Sequence, residues 1–86
     1  MTFDAIRAKV NEMVKDYLGC SDEAIKSEAY LMDDLGADTL DVVELVMGLE
    51  DEFGITILDE ESNNVKSLDD LYRIVASKCG IEIDLK

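Results

Sequence analysis

Carboxylate side chains are the groups with which this sequence could do the most chemistry. A pair of carboxylates can serve acid–base catalysis, and a cluster of them can bind a divalent cation. The run from Asp33 to Asp38 lacks the EF-hand pattern, which needs acids at loop positions 1, 3 and 5 and glycine at position 6. The sequence has no histidine, which excludes a histidine general base, a histidine-containing triad and a histidine metal ligand. We therefore predict a protein that is not an enzyme and has no dedicated metal site.

The two cysteines, Cys20 and Cys79, are far apart in the sequence and have no neighbouring base to activate them. Two cysteines do not make a disulfide framework, which favours a reducing compartment. The N-terminus has no basic segment followed by an apolar one, and no apolar run approaches the roughly 20 residues of a membrane span. These features predict a cytoplasmic protein that is not bound to membranes.

Acidic residues dominate the charge of the chain, with 21 Asp and Glu against 8 Lys and Arg and a net charge of -13. Twelve of the 21 acids lie between Glu28 and Glu61, and no Lys or Arg occurs from residue 27 to residue 65. We call residues 28–61 the acidic stretch. This balance argues against nucleic-acid binding, which needs basic side chains for phosphate contacts. It is consistent with a solvated acidic face, and its concentration in one stretch favours a surface that docks basic protein partners.

The pattern of apolar residues predicts an all-α fold in a single domain over residues 1–86. Apolar residues recur at steps of three and four before Gly19, between Asp38 and Gly54, and before Gly80, and these glycines are typical helix ends. Asp38 and Ser67 are predicted N-caps. The predicted elements are a helix ended by Gly19, a long loop over 20–37 pinned by Leu31, Met32 and Leu35, a helix over 39–53, a short helical turn over 59–64, a helix over 68–79, and a loosely packed tail over 81–86.

The second predicted helix has two apolar faces. At 100° per residue, one face is a complete core face, formed by Val42, Leu45, Val46, Leu49 and Phe53. A second strip on the outer side carries Leu40, Val43 and Met47 among carboxylates. Single exposed apolar residues are common on protein surfaces. Three along one line, surrounded by charge, are typical of a helix that docks into a partner's groove.

The segment from Asp34 to Asp41 (Asp-Leu-Gly-Ala-Asp-Thr-Leu-Asp), followed by Val-Val-Glu-Leu-Val-Met, closely resembles the signature of acyl carrier proteins. Glu50-Asp51-Glu52-Phe53-Gly54-Ile55 and Asp59-Glu60-Glu61 continue the similarity, which covers nearly the whole chain. The resemblance is strongest to the free-standing carriers of fatty-acid synthesis. It implies a small bundle of three long helices and one short helix, with acyl chains held as thioesters on a 4'-phosphopantetheine arm.

The resemblance also implies roles for particular residues. The arm would be attached at Thr39, the position at the start of the second helix where the family has serine. Partners would be the basic surfaces of acyl-transfer and chain-elongation enzymes and of a phosphopantetheinyl transferase, each meeting a monomer. The implied partner-docking residues are Asp38, Leu40, Asp41, Val43, Glu44, Met47, Glu50, Asp51, Ile57, Asp59 and Glu60. The implied lining of an acyl pocket is Leu45, Leu49, Phe53, Val65, Leu71 and Ile74.

The sequence departs from the family pattern at Thr39, a β-branched secondary alcohol with a restricted χ1 angle. It departs again at Leu58, where proline is frequent, and at Ser62-Asn63-Asn64 in the short helix. Two interpretations follow: a carrier that accepts the arm on Thr39, and a carrier-like interaction protein that keeps the acidic docking helix without an arm. A third, an acidic regulator such as a nucleic-acid mimic, is disfavoured by the motif.

Overall fold

The computed structural model describes residues 2–26 and 28–80, and over that part of the chain the fold is all-α, as predicted. Three long helices and one short helix form a bundle in which the first long helix packs against the other two. A single 3-10 turn, Asp22–Ala24, interrupts the long loop after α1. None of the helices in these residues is long and apolar enough to cross a membrane. The helices are α1 (Phe3–Leu18), α2 (Thr39–Phe53), α3 (Asp59–Ser62) and α4 (Leu68–Lys78).

Side-chain caps fix where the long helices begin. The hydroxyl of Thr2 accepts a hydrogen bond of 3.1 Å from the backbone N–H of Ala5 at the start of α1. Ser67 caps α4 by accepting from the N–H of Asp70, and Asp70 accepts in return from the N–H of Ser67. These side-chain caps satisfy N–H groups that have no partner within the helix. At the other end of α1, Gly19 takes a left-handed conformation with φ of 67°, which lets its N–H bond back to the carbonyl of Lys15.

The core is formed by one face of each long helix, as the periodicity predicts, with two corrections. The spacing of apolar residues in the three long helices predicts seven core residues, namely Val10, Val14, Leu45, Leu49, Phe53, Leu71 and Ile74. All of them except Phe53 and Ile74 are completely buried. Phe53 and Ile74 are only half-buried, although both pack against the core. Tyr72, two residues before Ile74, is almost completely buried: its ring packs edge-on against Phe3, and its hydroxyl donates a hydrogen bond to Asn11.

The long loop between α1 and α2 is tied to the start of α4. The N–H of Leu31 donates to the carbonyl of Lys66 at 2.8 Å, and the N–H of Leu68 donates to the carbonyl of Ala29 at 3.0 Å. Leu31 and Leu35 are buried, as predicted for residues that pin the loop. Met32, predicted with them, is instead 50% exposed, because the N–H groups of Asp34 and Leu35 bond the carbonyl of Tyr30 and form a turn whose buried side is occupied by Leu31 and Leu35.

The ends of the last two helices differ slightly from prediction. The short helix α3 stops at Ser62 and not at Asn64, because the amide of Asn64 folds back to bond the carbonyl of Glu60 at 3.2 Å in place of a further helical turn. Helix α4 ends at Lys78, with Cys79 as its C-cap. Cys20 and Cys79 are both half-buried free thiols. The predicted tail, residues 81–86, lies outside the described residues.

Candidate functional site

Thr39 is the first residue of α2, and its side chain is exposed. The preceding residue, Asp38, caps the helix: its carboxylate accepts a hydrogen bond of 2.8 Å from the N–H of Asp41. Asp41 accepts in return from the N–H of Asp38 at 3.1 Å, which completes a capping box. These two bonds fix the entry of α2 without using the hydroxyl of Thr39, which therefore lies free at the positive end of a 15-residue helix.

The position of Thr39 suits a phosphate ester. A helix N-terminus presents backbone N–H groups and a partial positive charge, which favour a bound phosphate. The carboxylates of Asp38 and Asp41 lie within the same first turn and oppose an added negative charge. A group attached to the hydroxyl would therefore be held by the helix end but would gain from any cation nearby.

A cavity of about 370 Å³ opens beside Thr39, between the long loop, α2 and the segment after α3. Its apolar wall is formed by Leu31, Met32, Val42, Val43 and Val65. The remaining lining residues carry polar groups, and they are Tyr30, Asp33, Thr39, Ser62, Asn63 and Lys66. An apolar chain that enters at Thr39 would meet the valine and leucine side chains, so the cavity can shelter an acyl group.

The cavity does not coincide with the predicted acyl pocket. Of the six residues implied as its lining, only Val65 borders the cavity. Leu45, Leu49 and Leu71 are completely buried where α1, α2 and α4 pack together, so no open space reaches them. The other two, Phe53 and Ile74, are half-buried against the same core. The cavity lies instead at the N-terminal end of α2, where Thr39, Val42 and Val43 border it.

The outer strip of α2 is exposed as predicted. Leu40 is 65% exposed, Met47 58% and Val43 47%, so three apolar side chains stand in solvent along one side of the helix. We call this strip, with the acids around it, the docking face. Ile57 was expected among the docking residues, but the structure corrects that placement, because its side chain is only 6% exposed.

The acids around the strip fall into two groups. Asp38, Glu44, Asp51, Asp59 and Glu60 are exposed and have no ion-pair partner within 4 Å among residues 2–26 and 28–80. Asp41 and Glu50 are half-buried and already used in the fold. Asp41 completes the cap of α2, and the carboxylate of Glu50 accepts a 2.8 Å bond from the N–H of Ile57, which anchors the segment after α2.

Basic residues from the first and last helices neutralise only the edges of the acidic stretch. Lys9 in α1 lies 3.6 Å from Glu52, and Lys78 in α4 lies 2.8 Å from Glu61. The hydrogen bond from the Lys78 ammonium lowers the pKa of the Glu61 carboxyl, and the bond from the Leu58 N–H lowers it further. The centre of the docking face keeps its negative charge, so it presents a concentrated field to an approaching partner.

Several residues at the site were missed by sequence reasoning. Tyr30, Met32 and Asp33 come to the cavity from the long loop, and Lys66 comes from the turn before α4. No periodicity in the loop predicts their direction. The one available signal was Lys66 itself, as the first basic residue after a stretch of 39 residues that contains none.

Comparison with known proteins agrees with this geometry. A family model described as a phosphopantetheine attachment site matches residues 8–75, which include the start of α2 and the docking face. The chain is also 42% identical to the acyl carrier protein of Bdellovibrio bacteriovorus over 74 residues, 86% of this chain and 95% of that protein. The chain belongs to the acyl carrier protein family.

Membership of the acyl carrier protein family confirms the resemblance predicted from the Asp34–Asp41 motif. Acyl carrier proteins are carriers that bear a phosphopantetheine arm and do not themselves catalyse a reaction, which agrees with the prediction that the chain is not an enzyme.

Proposed function

We propose that this acyl carrier protein holds growing acyl chains as thioesters on a 4'-phosphopantetheine arm joined to Thr39. It then delivers them to cytoplasmic enzymes of fatty-acid and lipid biosynthesis. The observation that carries the proposal is the exposed hydroxyl of Thr39, placed at the N-terminus of α2 and on the border of the cavity. The thiol of a bound arm supplies the thioester chemistry. The residues of the chain supply the attachment point, shelter and docking.

The attachment point depends on the hydroxyl and on the cap beside it. Threonine and serine both offer an alcohol that forms a phosphodiester when a transferase moves the arm from coenzyme A. The reciprocal bonds of Asp38 and Asp41 hold the backbone of residue 39 in place, so its hydroxyl needs no rearrangement of the helix to be reached.

Shelter for the acyl chain is the role proposed for the cavity. Its apolar wall, which includes Leu31, Val42 and Val65, can cover the first carbons of a chain whose thioester lies near Thr39. Burying apolar carbons stabilises the folded, loaded form by about 0.8 kcal/mol for each methylene group.

Delivery depends on the docking face. Basic partners are drawn by the exposed acids, and the apolar side chains of Leu40 and Met47 can then fill pockets on the partner. Asp59 and Glu60, on α3, extend the negative surface beyond α2. We propose that acyl-transfer enzymes, chain-elongation enzymes and the phosphopantetheinyl transferase all bind a monomer through this face.

The function is tested by delivery from loaded protein to a chain-elongation enzyme. The protein is charged with an acyl-pantetheine arm, and consumption of the thioester is followed against salt concentration. We expect Glu44→Lys to lower the rate of association and to flatten its dependence on salt. Glu23→Lys is the matched control, because it makes the same charge change at an exposed residue of the 3-10 turn, outside the acidic stretch and the docking face. Equal losses from the two reversals would contradict a localised docking face.

A second candidate function rests on the β-branched side chain at residue 39. A carrier-like protein that docks the same enzymes without an arm would keep the docking face and have no need of serine at that position. Such a protein would bind a chain-elongation enzyme normally, yet its mass would stay unchanged after incubation with coenzyme A and a transferase that modifies a serine-containing carrier.

A further inference from the structure

Lys66 lies at a fixed point of the backbone while its side chain stays exposed. Its carbonyl accepts a 2.8 Å bond from the N–H of Leu31, and its N–H donates a 3.0 Å bond to the carboxylate of Asp70. The long loop and α4 therefore hold residue 66 from both sides. The position from which the ammonium group extends is set by the fold, and only the side chain is free to choose its partner.

The positive charge of Lys66 lies at the cavity, where no carboxylate forms an ion pair with it among the described residues. Lys66 lines the same cavity as Thr39 and is the basic residue among the cavity's lining. Over residues 2–26 and 28–80, no carboxylate lies within the 4 Å of an ion pair from its ammonium, although Asp33 shares the cavity. Lys66 is also the first basic residue after Lys26, because no Lys or Arg occurs from residue 27 to residue 65. Among the described residues, the Lys66 ammonium therefore has no carboxylate partner. It lines the cavity that Thr39 borders, and Thr39 is the proposed attachment point of a negatively charged phosphodiester.

We propose that the Lys66 ammonium binds the phosphodiester of an arm attached at Thr39. The inference rests on the proposed function. The phosphodiester adds one negative charge in the turn that already holds Asp38 and Asp41, and the helix N-terminus alone offsets only part of that repulsion. A long, flexible lysine whose base is anchored across the cavity can reach such a group as a point charge. The contact directs the arm over the cavity mouth, between the long loop and the segment after α3.

The test compares the protein with and without its arm, in a Thr39→Ser background so that loading is complete. Thermal unfolding midpoints and the phosphorus-31 chemical shift of the arm are measured for Lys66, Lys66→Gln and Lys66→Arg at low salt. Lys66→Gln is expected to lower the midpoint of the loaded form by about 2–4 °C more than that of the unloaded form. It should also shift the phosphorus resonance, and Lys66→Arg should restore both values. Lys26→Gln, which removes a lysine outside the cavity, should change loaded and unloaded forms equally.

Three results would overturn the inference. The first is an equal change in the loaded and unloaded midpoints on Lys66→Gln, with no shift of the phosphorus resonance. The second is the same loaded-form effect from Lys26→Gln, which would mean that net charge alone is responsible. The third is a Lys66→Arg variant that behaves like Lys66→Gln, which would mean that a positive charge at residue 66 does not hold the phosphodiester. Intact mass shows separately whether the arm has been attached. If the Thr39→Ser chain takes no arm, the proposed function itself is contradicted, and the role of Lys66 falls with it.

Discussion

Replacing Thr39 with serine removes one methyl group from the first residue of α2 and leaves its hydroxyl. The methyl lies on an exposed side chain, and the bonds that start the helix belong to Asp38 and Asp41. Stability should therefore change by less than about 0.5 kcal/mol. The reaction at the hydroxyl is different, because the methyl crowds the oxygen and restricts χ1. An attacking oxygen misplaced by about 1 Å can lose roughly a hundredfold in rate.

We expect Thr39→Ser to accelerate phosphopantetheine transfer by about tenfold or more, which corresponds to about 1.4 kcal/mol in the barrier. Both forms are incubated with coenzyme A and one transferase under the same conditions, and intact mass is followed with time. Thr56→Ser is the matched control, since it removes a methyl from an exposed threonine in the segment after α2. Equal rates for Thr39 and its serine variant would refute the steric argument and make threonine an ordinary attachment residue.

The other predictions concern stability. Leu49→Ala should cost about 2–5 kcal/mol in urea unfolding, because Leu49 is completely buried, whereas Phe53→Ala should cost less, because Phe53 is half-buried; the reverse order would contradict the assigned core. The lowered pKa of Glu61 means that its ionised form stabilises the fold above the ordinary glutamate value of 4.5, and that this stabilisation is lost as the pH falls through the lower folded-state pKa. Lys78→Gln should therefore lower the melting temperature at neutral pH and flatten its fall below pH 4.5, and parallel profiles would rule out this coupling. Moderate salt should raise the melting temperature by screening repulsion within the acidic stretch 28–61, and a midpoint indifferent to salt would contradict that repulsion.

The long helices, their starts and the glycine-capped ends of α1 and α2 were predictable because their signals are local. The Asp38 and Ser67 caps, the glycine after α1 and the two faces of α2 depend on residues within a turn or two of one another. Helical geometry converts that spacing directly into position. The exposure of Leu40 and Met47 also followed from the rotation of 100° per helical residue, without knowledge of which elements pack against α2.

The cavity and its surroundings were not predictable, because they depend on contacts between distant parts of the chain. The loop reaches α4 through the bond from Leu31 to Lys66, which joins residues 35 positions apart in sequence. The hydroxyl of the buried Tyr72 bonds to Asn11, 61 positions away in sequence, whereas Ile74 on the same helix is only half-buried against the core. Periodicity places a residue on a face of its own helix, but the neighbouring elements decide how deeply that face is covered.

The mass of the wild-type chain after incubation with coenzyme A and a competent phosphopantetheinyl transferase tests the central claim most directly. Thr39→Ala is the control, because it removes the hydroxyl at an exposed position where the fold does not use it. We predict that the wild-type chain gains the mass of one phosphopantetheine, that peptide mapping places it on Thr39, and that the alanine variant gains nothing. A wild-type mass that stays unchanged while a serine-containing carrier is fully modified would contradict the claim.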